Sequence, residues 1–255
     1  MRRITRSAAL VVVLLLLLAV PLSGCTPIEF QRWWVSQGHA PLGEPHLSNA
    51  ARMATNHWDE VARRGRFRYT VSGIDAGLAA RMTPTSWRSG CPVPLRDLRY
   101  IRATYMGFDG GEHTGEVVVH ADAVRVTAAL LEGMWNERFP IERMRLVDDY
   151  GGSDDASIAA NNTSAFNCRA ATGGTNWSAH AFGRAIDINP VQNPYVTSTS
   201  VLPAAGLAYL DRADVRPGMV VRGDVVWRIT RFVGWGWGGE WSSLKDYQHV
   251  SSTGR

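Results

Sequence analysis

Two short stretches near the end of the chain, Ser178-Ala-His180-Ala-Phe-Gly183-Arg-Ala185-Ile-Asp187 and Asp246-Tyr-Gln-His249, carry two histidines and two carboxylates. A fold in which they act together must join positions roughly 60 residues apart. A hydrolytic zinc takes three nitrogen or oxygen ligands, leaves a fourth position open for water, and needs a nearby carboxylate to accept a proton. In this reading His180, Asp187 and His249 are the metal ligands and Asp246 is the base. The strand period puts Asp187 on the same face as Ala185 and Asn189. Gly183 lets the backbone bend between His180 and that strand, and Ala185 is small enough for metal and substrate to approach. Asp246 and His249 are three apart, so one can ligate while the other handles the proton. Each stretch alone has a plainer reading: a histidine seven residues before an aspartate is a weak signal, and His180 by itself reads as a loop histidine with no metal.

The amino terminus speaks to compartment. Arg2, Arg3 and Arg6 precede an apolar run from Ala8 to Val20, the charged and hydrophobic parts of a secretory signal. The run ends in Leu22-Ser-Gly-Cys25, which resembles the lipobox of bacterial lipoproteins, with Cys25 as the lipidated residue. An ordinary signal peptide and a single membrane anchor are the alternatives; the run is shorter than the roughly 20 residues a spanning helix wants. In each case the folded part lies outside the cytoplasm. The sequence pI of about 9.2 reflects that leader: without its three arginines, 24 Lys+Arg face 23 Asp+Glu. Clustered positive charge is missing, which argues against nucleic acid as a partner.

With Cys25 lipidated, Cys91 and Cys168 remain as a candidate disulfide in an oxidising compartment; two unpaired buried thiols are the alternative, since spacing does not establish proximity. No two cysteines are close enough in sequence to suggest a thiolate zinc site.

The chain divides into a leader at 1–24, a tether and helical lead-in at 25–94, and one catalytic domain at 95–255. Pro27, Pro41, Gly43 and Pro45 mark the tether, which carries Trp33 and Trp34. Ala51, Met53, Ala54, Trp58, Val61 and Ala62 fall near helical spacing over 48–64, with Gly65 as the stop. Pro84, Gly90, Pro92 and Pro94 mark a loop. Strands are expected at 116–120, 144–148 and 185–189, and helices over 123–136 and after Asp224, which would cap Val225, Ile229, Phe232 and Val233. Strands and helices mix without strict alternation, so the fold class expected is α+β.

Together the two motifs, with Gly234-Trp-Gly-Trp-Gly-Gly-Glu-Trp241 between them, resemble the M15 zinc metallopeptidases over roughly residues 95–250. These include VanY-type D-alanyl-D-alanine carboxypeptidases and L-alanyl-D-glutamate endopeptidases. The resemblance implies the compact α+β fold shared with the Hedgehog signalling domain, one Zn2+, and peptidoglycan stem peptides as substrate. It matches His180, Asp187 and His249 to the metal ligands and Asp246 to the acid/base. The carboxypeptidase branch usually has Glu where this chain has Asp246, and the Trp-Gly-Gly run is closer to the endopeptidase branch. A wall-peptide-binding domain of the same fold without catalysis is the competing class; it has no need of a base.

Three further residues are candidates for substrate binding. Arg169 could hold a substrate carboxylate or a developing oxyanion, with a surface salt bridge as an equal account. Ser178 orients the histidine or the substrate, or is a turn hydroxyl. Trp241 walls the cleft, or its tryptophan run is buried packing. The run Asp148-Asp149-Tyr-Gly-Gly-Ser-Asp154-Asp155 reads as a solvated loop. His39, His46, His57, His113 and His120 read mostly as exposed or packed, with an approach of His113 to the cleft as the alternative.

Overall fold

The computed structural model describes residues 66–254. The leader, Cys25, the tether with Trp33 and Trp34, and the expected helix at 48–64 lie outside the described residues. Among these residues no helix is long and apolar enough to cross a membrane.

The core is built on an antiparallel sheet of β1 (Tyr69–Ser72), β2 (Leu98–Met106) and β3 (Glu112–His120) in that order. Alternation along the strands sorts side chains to two buried faces. Ile101, Ala103, Val117 and Val119 enter the main core, while Leu98 and Val118 enter a second cluster with Met82, Phe166 and Cys168. Burial on both faces is why Val117-Val-Val119 is continuously apolar. The strand starts at Glu112, four residues before its expected position, because its first residues form an exposed hairpin arm with no apolar pattern.

Two helices accompany this sheet: α1 (Ala76–Met82), between β1 and β2, and α2 (Val124–Asn136), after β3. Helix α2 crosses β2 and carries Leu130, Leu131 and Met134 into the core, each stabilising the fold by about 1.5–3 kcal/mol through burial. It ends where Arg138 turns left-handed at φ +53° and Phe139 N–H donates to the Met134 carbonyl at 2.8 Å.

The segment expected as a lead-in before residue 95 contributes to the sheet. Residues 69–72 pair with β2, Val71 opposite Ile101, and α1 places Met82 in the second cluster. A four-residue strand with only half-buried apolar positions leaves little trace in the sequence. The strand expected at 144–148 is also overdrawn: β4 is only Arg143–Met144, parallel to β5 (Asn162–Thr163), and Val147–Tyr150 is a 3-10 turn. Nor is the acidic run a solvated loop. Asp148 Oδ1 accepts the Ser86 N–H at 3.1 Å, Asp149 pairs with Arg81 at 2.6 Å, and Asp154 opens α3 (Asp154–Ala159), capped by Ser153.

After β5 come β6 (Ala185–Asp187), β7 (Tyr195–Val196), β8 (Val201–Leu202), α4 (Val225–Phe232), β9 (Gly236–Trp237), β10 (Lys245–Asp246) and β11 (His249–Ser251). Helix α4 is capped as expected, Asp224 Oδ1 accepting the Trp227 N–H at 2.7 Å, and Gly234 follows it at φ +75°. Its Val226 and Ile229 pack beside α2 in the main core. Two small antiparallel sheets, β6-β11-β9 and β10-β7-β8, complete an α+β architecture.

Candidate metal centre

Strand register builds the site. Antiparallel pairing of β6 with β11 sets His249 directly opposite Asp187 and Ser251 opposite Ala185. Directly opposed residues share a face, with Cβ atoms about 4.5–5.5 Å apart, so a separation of 62 in sequence becomes a 3.0 Å contact between His249 Nδ1 and Asp187 Oδ1. The end of β5 braces Asp187 from the other side, with Ser164 and Asp187 exchanging backbone bonds of 3.1 and 2.8 Å.

His180 comes from a 3-10 turn, Ala179–Phe182, not from the strand. Ser178 starts that turn, its Oγ accepting the His180 N–H at 3.3 Å. Gly183 ends it at φ +65°, and a Cβ there would press on His120 N at 2.5 Å. Gly183→Ala is therefore expected to destabilise the protein by about 1–3 kcal/mol, read as a lower urea midpoint, and to weaken metal binding because the turn carries His180. The Ala165 carbonyl accepts from His180 Nδ1 at 2.5 Å, which fixes the tautomer and leaves the Nε2 lone pair pointing inward. That Nε2 lies 3.1 Å from Asp187 Oδ2 and 3.1 Å from His249 Nδ1.

The three residues are 3–5% exposed, and one donor atom from each falls within 4.8 Å of the others. Two ring nitrogens and a carboxylate at such spacing suit a cation: tetrahedral bonds of about 2.0–2.1 Å hold ligand atoms about 3.3 Å apart. Burial alone would raise the Asp187 carboxyl, but the two histidines hold it well below the usual carboxylate range. The residues present therefore fit zinc.

Asp246 ends β10, opposite Tyr195 of β7. Its Oδ1 is buried with no hydrogen-bond partner among the described residues. Burial pushes this carboxyl up to about 6; the His249 charge opposes the rise, Asp187 adds to it, and the Gln248 side chain hydrogen-bonds it. Gly238 is needed here for close approach, since a Cβ would meet the Asp246 carbonyl oxygen and lie 2.8 Å from its Cβ.

The supporting candidates divide. The Trp241 ring stands 5.6 Å from that of His249, with its indole N–H donating to the Gly254 carbonyl at 2.5 Å. The Ser178 hydroxyl is a turn cap that orients His180. Arg169 is engaged elsewhere: its Nη2 pairs with Asp154 Oδ2 at 2.8 Å, the salt-bridge alternative. Cys91 and Cys168 are joined by a disulfide. His113 lies on the exposed β2–β3 hairpin, bonded to Asp109 at 3.0 Å and stacked on Tyr105. His120 pairs with Asp122 at 2.7 Å.

Sequence reasoning missed the Ala165 carbonyl, which no side-chain pattern could reveal. It also missed Gln248 as a partner of Asp246, and Asn189, which holds φ +43° while its amide bridges the Pro140 and Gly218 carbonyls.

No curated protein and no solved structure matches the chain. Residues 172–252 match the family model of an M15 peptidase described as D-alanyl-D-alanine carboxypeptidase, a span that takes in His180, Asp187, Asp246 and His249. This segment, which contributes the site's three donor residues and its neighbouring carboxylate, is similar to the M15 peptidases, and the match supports an M15-type peptidase.

Proposed function

We propose that this protein is a zinc-dependent peptidase that hydrolyses peptidoglycan stem peptides outside the cytoplasm, tethered to the membrane through a lipidated Cys25. The observation that carries the reading is the convergence of His180, Asp187 and His249 in one buried cluster, with the buried Oδ1 of Asp246 on the strand that precedes His249 in the chain. The family resemblance further supports the compact fold of the Hedgehog type.

Bound zinc would supply the Lewis acidity that activates water and polarises the scissile carbonyl. The chain's own residues do the rest. The two histidines and Asp187 hold the cation with one net positive charge, and the Ala165 carbonyl keeps the His180 ring oriented. Asp246 takes a proton from the attacking water through Oδ1 and delivers it to the leaving amine. Its Oδ1 has no hydrogen-bond partner among the described residues, so it is free to accept that proton. The Trp241 ring, lying against His249, gives the substrate an apolar wall. Arg169 reaches a substrate carboxylate only by giving up Asp154.

The deciding experiment incubates purified protein with muropeptides, with and without a chelator, and weighs the products. Chelator-sensitive loss of one alanine identifies a carboxypeptidase, and cleavage after the first L-alanine an endopeptidase. The absence of any metal-dependent product overturns the peptidase reading in favour of a wall-peptide-binding domain.

A further inference from the structure

The loop joining β9 to β10 carries Asp246 at its far end, and the side chain that fastens it to the core lies outside the metal pocket. We propose that Glu240 is a positioning residue: it ties this loop to α4 and so fixes Asp246 and the Trp241 ring relative to His249. The inference rests on the zinc-peptidase reading.

Glu240 closes the 3-10 turn Gly238–Glu240. Its Oε1 accepts the indole N–H of Trp227 at 3.0 Å, with Arg222 at 3.0 Å and Arg231 at 3.9 Å around the same carboxylate. All three donors belong to α4 or to the loop just before it. The arginines are 73% and 60% exposed, so water screens them and they contribute little. Trp227 is half-buried against the main core, and its bond to a carboxylate is charge-assisted and directional. Helix α4 is itself locked by Val225, Val226 and Ile229.

From Glu240 the path to the site runs through backbone with no slack. Gly238 abuts the backbone of Asp246, and Gly239 is pressed on the Trp237 ring. The Lys245 ammonium gathers the Gly239 and Trp241 carbonyls at 3.2 and 2.5 Å. A displacement of the turn is thus transmitted to Asp246 on one side and to the indole against His249 on the other.

The test compares Glu240→Ala, Glu240→Gln, Trp227→Phe and the Trp227→Phe/Glu240→Ala double variant, reading zinc affinity by chelator competition alongside kcat and KM on a muropeptide. Glu240→Ala and Trp227→Phe should each weaken zinc about tenfold and lower kcat about 10–100-fold, with KM within about twofold. The double variant should be no worse than the worse single, as expected for two ends of one bond. Glu240→Gln keeps an oxygen acceptor for the indole and should stay near wild type. A Glu240→Ala protein with a lower melting temperature but unchanged zinc affinity and kcat overturns the proposal, as do additive effects in the double variant. A wild type that binds zinc without cleaving overturns the peptidase reading alone, and the zinc affinities still decide the role of Glu240. A wild type that binds no zinc overturns both.

Discussion

Asp246→Asn is expected to keep the metal and lose hydrolysis, with turnover down about 10²- to 10⁴-fold, the usual worth of a general base. His249→Ala should lose both metal and hydrolysis, because its Nδ1 is one of the three clustered donors. The pair separates ligand from base: metal content by atomic absorption, turnover by product mass. Stability makes the first variant cleaner still. The Asp246 carboxyl is raised to about 6 by burial, so the native state binds its proton more tightly than the unfolded chain, where an aspartate titrates near 3.9. Native stability of the metal-free wild type therefore falls as pH rises from about 4 through about 6, and the penalty is complete above that. Asparagine carries no charge and escapes it. Metal-free Asp246→Asn should then be more stable than wild type at pH 7 by roughly 1–3 kcal/mol, with the gain fading as pH falls from about 6 to about 4. Turnover near the wild-type rate in Asp246→Asn would remove Asp246 from the chemistry.

What the sequence made legible follows from how local each signal is. The α4 cap was readable because Asp224, the apolar spacing and Gly234 all lie within a dozen residues of one another, and α2 because its apolar stripe runs for more than three turns. The donor set was readable because the two motifs are short and chemically dense. Their meeting was not readable from period or propensity: it depends on β6 pairing with β11 in the one register that sets His249 against Asp187, and a strand of three residues carries almost no pairing information. The same physics hid β1, whose membership in the domain is decided by hydrogen bonds to β2 and not by its own pattern. Backbone partners such as the Ala165 carbonyl are invisible by nature, since every residue has one. Arg169 shows the converse: a guanidinium upstream of a metal histidine has two equally good sequence accounts, and only placement shows Asp154 in its grasp.

Removing the Cys91–Cys168 bridge should cost about 2–5 kcal/mol of stability, and more than stability should be lost. The bridge spans 77 residues, for which loop closure in the unfolded chain accounts for about 4–5 kcal/mol. Cys168 is 1% exposed in the cluster of Met82, Leu98, Val118 and Phe166, so a Cys91→Ala/Cys168→Ala protein keeps an apolar site and remains foldable. The bridge also fastens the segment on which His180 rests. Cys168 N–H donates to the Ser86 carbonyl at 2.9 Å, Asn167 N–H to the His180 carbonyl at 3.3 Å, and the Arg169 carbonyl accepts the Ser178 N–H at 3.1 Å. Two residues before Asn167, Ala165 orients the His180 ring. Loosening that segment frees the imidazole that the metal needs held, so zinc affinity should fall along with the unfolding free energy. Urea unfolding with and without a thiol reductant, beside the double alanine variant, measures both effects. The reduced wild type and the variant should coincide, each with a lower midpoint and about tenfold weaker zinc. A reduced protein with the midpoint and zinc affinity of the oxidised one would show that the cluster around Phe166, not the bridge, holds the segment beneath His180.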